Sequence, residues 1–331
     1  MRDAPRLMRC LASLERGAGE VPYELVLVLS GADDEVAEAA RGVNGARVVE
    51  SRWNLGFAGG CNLGRAEASG ELIVLLHDDA EAEQGWLPAL VEAADRHPDA
   101  GVIGSRVLTG DGERLQLAGA AMFSDATTAL IGRGASAGAA GHRAARPVDY
   151  CSSCSVLVRA GTWDAVGGLD ELLFPGGYVD ANLGMAAWAA GWTVRYEPSS
   201  VVRHRQGGSM TGGFRAFVHA RNSDRFRDRW AEELELREPP ASEVDAATAR
   251  ALARAEERAR EALARGAPAG APAAAPAIDP ELGPRLAELE LRLLREYVAF
   301  ADRELERVHR EYADVRGALD AIRAGGQSPA A

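Results

Sequence analysis

The apolar positions of the first 110 residues switch repeatedly between a helical and an extended period. Arg6 to Glu15 places Leu7, Cys10, Leu11 and Leu14 on one helical face. YELVLVLS, from Tyr23 to Ser30, is an unbroken apolar run, the form taken by a strand covered on both sides. EVAEAARGV then returns to the helical period, and ARVVES reads as a second strand. NLGFAGGCNLG reads as a loop entering a helix, and ELIVLLHDD as a third strand. Trp86 to His97 is amphipathic, and AGVIGSRVL is again extended. This strand–helix alternation predicts an α/β fold with a doubly wound, mostly parallel sheet and flanking helices.

The pattern is looser from Asp111 to Ala145, where Gly and Ala predict loops and short strands. VDYCSSCSVLVR predicts a buried strand, Asp180 to Gly191 a helix, WTVRYEP a strand with VVRHRQGGS as its extended exit, and Asn222 to Leu236 a helix over the sheet. Residues 241–265 are rich in Ala, Glu and Arg and predict a helix, followed by the Pro/Ala linker Gly266 to Pro280. From Glu281 to Arg323 a long helix is expected. Leu294, Val298, Ala301, Leu305, Val308, Tyr312, Val315, Leu319 and Ile322 recur at alternating spacings of four and three, a heptad seam. It predicts a coiled coil or helical hairpin, with a helix lying on its own domain as the alternative. The expected organisation is a globular domain over residues 1–236, a helix and linker over 237–280, the long helix over 281–324 and a disordered tail over 325–331.

A doubly wound nucleotide-binding sheet normally begins with a strand whose following loop contacts the nucleotide. Here the pattern opens on a helix, and nothing before Arg6 reads as a strand. Either the start lies upstream or the sheet lacks a central strand, which would leave backbone groups unpaired.

Composition narrows the function. With 331 residues, 47% hydrophobic and 26% charged, the chain is ordinary for a soluble globular protein. A net charge of −12 argues against nonspecific nucleic-acid binding, which needs a basic surface, but not against an anionic nucleotide held through a metal. No apolar run approaches the roughly 18–20 residues that span a bilayer, and RDAPRLMRCLASL lacks the apolar core and cleavage site of a signal peptide. A cytoplasmic protein is expected. Cys151 and Cys154 have redox-motif spacing, but they sit in a strand pattern and read as small buried residues.

The densest chemistry lies between Asn54 and Trp86, where a glycine-rich turn, a helix, an apolar strand and the acids Asp78 and Asp79 follow one another. Carboxylates at the carboxyl end of such a strand sit where open α/β sheets bind ligands, and they can hold a hard cation. Three blocks in order, NLGFAGGCNLGRAEASGELIVLLHDDAEAEQGWL, GGLDELLFPGGYVDANLGMAAWAAGWTVRYEP and VVRHRQGGS, resemble the family-two glycosyltransferases of GT-A fold, in particular their rhamnosyltransferase-like members. The resemblance covers about Arg6 to Trp230.

The resemblance implies an inverting transferase that moves a sugar from a nucleotide-diphosphate sugar to an acceptor hydroxyl, in the synthesis of cell-surface polysaccharide or glycolipid. It implies a divalent cation, Mn²⁺ or Mg²⁺, held by Asp79 and His204. Asp78 fills the variable middle position of the acidic motif, and His77 stands where Asn or Asp is common. Asp180 matches the catalytic base, with Val179 in place of the usual neighbouring Glu and Asn182 in place of a second acid. Asn54, Gly56, Gly59, Gly60 and Asn62 match the donor-side loop, and Arg203 and Arg205 flank the histidine where they can neutralise phosphate. Asp33 is a weaker candidate for a nucleotide contact. Trp188 and Trp192 read as core or acceptor-wall residues. The implied partners are the donor, a saccharide or glycolipid acceptor, the inner face of a membrane through peripheral association, and a second copy through the C-terminal helix, but no nucleic acid. A reading of another class is a degenerate, non-catalytic binding or assembly module, suggested by the missing strand, by Val179 and by the heptads.

Overall fold

The structure, a computed structural model, describes residues 3–205, 212–266, 268 and 282–325. The Gly-x-Ser that ends the third block, nearly all of the Pro/Ala linker and residues 326–331 lie outside these.

The first half alternates as its pattern requires: α1 (Ala4–Gly17), β1 (Leu25–Ser30), α2 (Asp34–Arg41), β2 (Ala46–Ser51), α3 (Gly56–Glu67), β3 (Leu72–Leu76), a short β4 (Ala80–Ala82), α4 (Trp86–Arg96) and β5 (Ala100–Thr109). The middle supplies short strands β6 (Leu115–Leu117), β7 (Ala120–Met122), β8 (Thr128–Leu130) and β9 (Arg146–Pro147). Then follow β10 (Ser155–Arg159), α5 (Ala160–Val166), α6 (Val179–Ala189), β11 (Thr193–His204), α7 (Gly212–Arg229), α8 (Ala231–Glu235), α9 (Val244–Arg265) and α10 (Leu282–Gly325). The strand expected over VDYCSSCSVLVR is confined to its last residues, because Cys151 to Cys154 form the turn that enters β10.

The main sheet runs β3-β10-β5-β11-β4. β5 and β11 are parallel, and β10 lies antiparallel between β3 and β5, so β3, β5 and β11 share one direction. β5 is buried along nearly its whole length, which explains why its sequence is continuously apolar instead of alternating. Its buried hydroxyl, on Ser105, is satisfied inside the core: it lies 2.7 Å from both Ser155 Oγ and Ser200 Oγ, and Trp86 Nε1 donates to Ser155 at 2.8 Å. One sheet face packs Ile103 and Leu157 with Trp86, Leu90 and Met185; the other packs Val102, Val156 and Val158 with Trp163, Leu183 and Trp192. α6 lies between these layers, which fits its lack of a polar face.

β1 and β2 form a separate two-stranded parallel sheet. Among the described residues β1 pairs only with β2 and β3 only with β10. Residues of β1 and every residue of β3 line one cavity of about 2140 Å³, which α1 borders through Leu7, Cys10 and Leu11 and α3 through Phe57, Gly60 and Gly64. Among the described residues, then, no central strand joins the two sheets.

α9 falls where the composition of residues 241–265 predicts a helix. α9 buries Ala247, Ala251, Ala255, Ala259 and Ala262, one small residue per turn, and lies on β7, β9 and β11. Asp149 pairs with Arg237 and Arg258, and Glu238 with Arg250 and Arg254. Residues 237–265 are therefore packed onto the body. α10 also packs on the body over its first half, through Leu286, Leu289 and Leu293, which meet Leu55, Leu63, Phe174 and Phe217. No helix among the described residues is long and apolar enough to cross a membrane.

Candidate active site

The chain turns sharply between β3 and β4. The His77 N–H donates to Cys154 O at 3.0 Å, and β4 then pairs antiparallel with the end of β11, His204 opposite Ala80. That register brings residues more than a hundred positions apart side by side. His204 Nε2 lies 3.0 Å from Asp79 Oδ1, and His77 Nδ1 lies 3.7 Å from the same oxygen. One ligand atom from each of His77, Asp79 and His204 falls within 4.8 Å of the others.

The electrostatics around Asp79 favour an ionised group. Burial works against its charge, but the hydrogen bond to His204 and the charges of His204, His77 and Arg6 hold its carboxyl below the usual range. Burial first, and then the charge of His204, lower the pKa of His77 and favour its neutral form. Its Nε2 is sealed from solvent and has no hydrogen-bond partner, and such an orphaned buried nitrogen calls for a ligand. Gln116 Oε1 sits 3.0 Å from His204 Nδ1 and fixes the ring so that Nε2 faces the cluster. Two imidazoles and a carboxylate are a donor set that suits a divalent transition metal.

Asp180 lies on the same cavity, on the first turn of α6. It does not cap the helix. Ser153 donates to its carboxylate twice, from Oγ to Oδ1 at 2.8 Å and from the backbone N–H to Oδ2 at 3.2 Å. The preceding Tyr178 has φ of 63°, an unusual backbone for a bulky residue, and its hydroxyl donates to Ala126 O at 3.1 Å.

The glycine-rich segment divides. Asn54 Oδ1 accepts from the Gly56 N–H at 3.0 Å, and Asn54 Nδ2 donates to Glu290 of α10 at 3.2 Å. Gly56 has φ of +63°, and a Cβ there would lie 2.7 Å from the Phe174 ring, so only glycine fits. Asn54, Gly56 and Gly60 line the cavity with Asp78. Gly59 faces away from it: a Cβ there would lie 2.6 Å from Leu286 of α10. Asn62 also faces away, bonded to Leu169 and Glu171 at 2.9 Å. Arg203 pairs with Glu83, and Arg205 with Glu81 at 3.3 Å; neither lines the cavity. Asp33 precedes α2 and also does not line it. Trp192 is core, and Trp188 donates to Val148 O under the guanidinium of Arg258. Cys151 and Cys154 are both buried and unpaired, and burial pushes Cys151 up to about 12.

Sequence reasoning did not find Gln116 or Ser153, which carry no motif. It left the contribution of His77 open, although adjacency to Asp78 and Asp79 was a usable signal. The α7 residues Arg215 and His219 and the α10 residue Glu290 also line the cavity and were not foreseen.

Comparison with known proteins bears on what this arrangement does. Residues 2–149 match the model of glycosyl transferase family 2. The chain is 29% identical over 225 residues to N-acetylglucosaminyl-diphospho-decaprenol L-rhamnosyltransferase of Mycobacterium tuberculosis, covering 61% of this chain and 72% of that protein. It is 26% identical over 233 residues to uncharacterized protein y4gI of Sinorhizobium fredii, covering 63% of this chain and 24% of that one. A crystal structure of GalNAc-T7 with UDP, GalNAc and Mn²⁺ superposes with a TM-score of 0.54 at 14% identity, over 70% of this chain and 47% of that one. The chain thus spans about half the length of that structure, and the likeness is one of fold.

Proposed function

We propose that this chain is a family-two glycosyltransferase of GT-A fold that moves a sugar from a nucleoside-diphosphate donor to an acceptor hydroxyl in a single inverting displacement. The observation that carries the reading is one cleft with two carboxylates in different surroundings. Asp79 stands between two imidazoles, and Asp180 is held by a serine.

His77, Asp79 and His204 would hold the divalent cation, with Mn²⁺ a better fit than Mg²⁺. When bound, it neutralises the diphosphate that leaves with the nucleotide. Asn54, Gly56 and Gly60 bring backbone close to the donor, and Asp78 borders the same space. Asp180 takes the proton of the acceptor hydroxyl as its oxygen attacks the anomeric carbon. Ser153 fixes the carboxylate through its two hydrogen bonds. With Val179 beside it, Asp180 acts without a second acid. Gly59, Asn62 and Arg203 support the loop and strand and do not touch the donor.

The Mycobacterium relative's name supports L-rhamnose as the donor sugar and a glycan on a lipid diphosphate as the acceptor. Arg215 on α7 supplies positive charge in the cleft for such an acceptor. A lipid-borne acceptor places the reaction at the inner face of a membrane, with the enzyme attached peripherally. The split between β1 and β3 favours a second reading, a module that binds without turnover.

The test is a transfer assay with dTDP- and UDP-sugars on the wild type and on Asp180→Asn, beside titration of each nucleotide with and without Mn²⁺. Asp180→Asn is expected to lower turnover by about 10²–10⁴-fold while Mn²⁺-dependent nucleotide binding persists. Near wild-type turnover in Asp180→Asn would sink the assignment of the base. Metal-dependent binding with no turnover in the wild type would favour the binding module.

A further inference from the structure

α10 carries two apolar stripes, and only one is used within the chain. Leu286, Leu289, Leu293, Tyr297 and Phe300 face the body. The three leucines are buried, and the two rings pack on Phe214 and Phe217. The second stripe is Leu291, Leu294, Val298, Leu305, Val308 and Tyr312, from 47% to 65% exposed. These six are half of all the large apolar side chains exposed among the described residues. Past Phe300 the helix continues for 25 residues, about 37 Å at 1.5 Å per residue, and the exposed stripe continues through Leu305, Val308 and Tyr312. A helix that runs clear of its body with an apolar stripe gains its stability from whatever covers that stripe.

We propose that this stripe is covered by the same stripe of a second copy of the chain, in a parallel, in-register two-helix coiled coil. Leu291, Val298, Leu305 and Tyr312 fall at a, and Leu294, Ala301 and Val308 at d. The seam is therefore the narrow one of a coiled coil and not the wide apolar face of a helix lying on lipid. The charges agree. Residues 288–308 carry six carboxylates against four arginines, which disfavours an anionic membrane. At the flanking positions, Glu290, Glu304 and Glu311 occupy g, and Arg295 and Arg316 occupy e, with Tyr297 at g and Asp302 and His309 at e the exceptions. Parallel pairing sets each g against the e five residues further on in the other chain, so Glu290 meets the partner's Arg295. Antiparallel pairing sets acid against acid. Because Glu290 also holds Asn54, the paired helix is the one that forms a wall of the cleft.

The experiment is sedimentation velocity on the full chain at micromolar concentration, with three variants. The wild type is expected to sediment at twice the 35.0 kDa chain mass. Leu305→Glu/Val308→Glu, remote from the cleft, is expected to raise the dissociation constant at least about 100-fold and leave a folded monomer. Val308→Cys at d is expected to cross-link to its own copy under mild oxidation, and Arg303→Cys, on the outer face, is not. A monomeric wild type overturns the proposal. So does a dimer that survives the double substitution, or equal cross-linking of the two cysteine variants. A wild-type monomer that floats with phosphatidylglycerol vesicles, and loses this in the double variant, overturns it in favour of lipid.

Discussion

At the scale of single residues, the cleft depends on side chains that never touch a substrate. Gln116 reaches the far nitrogen of His204 from the β5–β6 turnback, and Ser153 grips Asp180 from the turn before β10. Removing such an outer partner commonly costs a metal site 10–100-fold in affinity. Gln116→Ala is therefore expected to weaken Mn²⁺ binding by about that factor, read by calorimetric titration, with little change in thermal stability. Ser153→Ala is expected to lower turnover by about 10-fold while nucleotide binding holds, because it loosens only the base. Equal loss of kcat and nucleotide affinity in Ser153→Ala would assign the serine to the donor side. Asp79, His204 and Asp180, which the fold brings onto one cavity, stood out in the sequence because acids and a histidine at strand ends and on a helix start are chemically conspicuous. Gln116 and Ser153 were not, because their value comes from a register that only the folded sheet creates. Asn62 and Gly59 show the reverse: they match a motif yet face Leu169 and Leu286, so motif membership did not give orientation.

At the scale of elements, continuous apolar strands were the easiest to read. β1, β3 and β5 each lie where their runs predict, but only β5 is buried along its length; β1 and β3 are half-buried and line the cavity. The run before β10 was overread, since buried cysteines and serines in a turn look like a buried strand when only apolarity is counted. The lack of a strand joining β1 to β3 among the described residues agrees with a pattern that opens on a helix. Its consequence in the structure is a pair of strand edges facing one cavity, and backbone groups there lack the partners that the interior provides elsewhere. In hydrogen exchange, alternate amides of Leu25–Ser30 and Leu72–Leu76 are expected to exchange at least about 100-fold faster than those of Val156–Val158, which are paired on both sides. Uniform protection across all three strands would mean that the two edges are closed in solution.

At the scale of the whole molecule, the long helix is where sequence and fold diverge most usefully. The heptad pattern picked out Leu294, Val298, Leu305 and Val308, and in the structure these are the residues left exposed. The stripe that docks has the same mixture of three and four spacings, from Leu286 to Phe300, but nothing in the sequence says which stripe meets the body. The choice is made by shape: glycine at position 59 leaves a hole for Leu286, and Gly283 lets the helix start pass close to the Trp53 ring. This divides α10 into a half that belongs to the catalytic body and a half that does not. Removing residues 301–325 is expected to leave the melting temperature, measured at high dilution, within about 2 °C of the full chain, since none of the side chains described there is buried. Removing residues 282–325 strips Leu286, Leu289 and Leu293 from the body, each worth roughly 1.5–3 kcal/mol, and is expected to lower it by about 10 °C or more. The longer deletion also frees Asn54 from Glu290, so nucleotide affinity should fall with it and hold in the shorter one. If both deletions melt alike and bind nucleotide alike, α10 is an appendage, and the cleft wall it forms has no part in holding the donor loop.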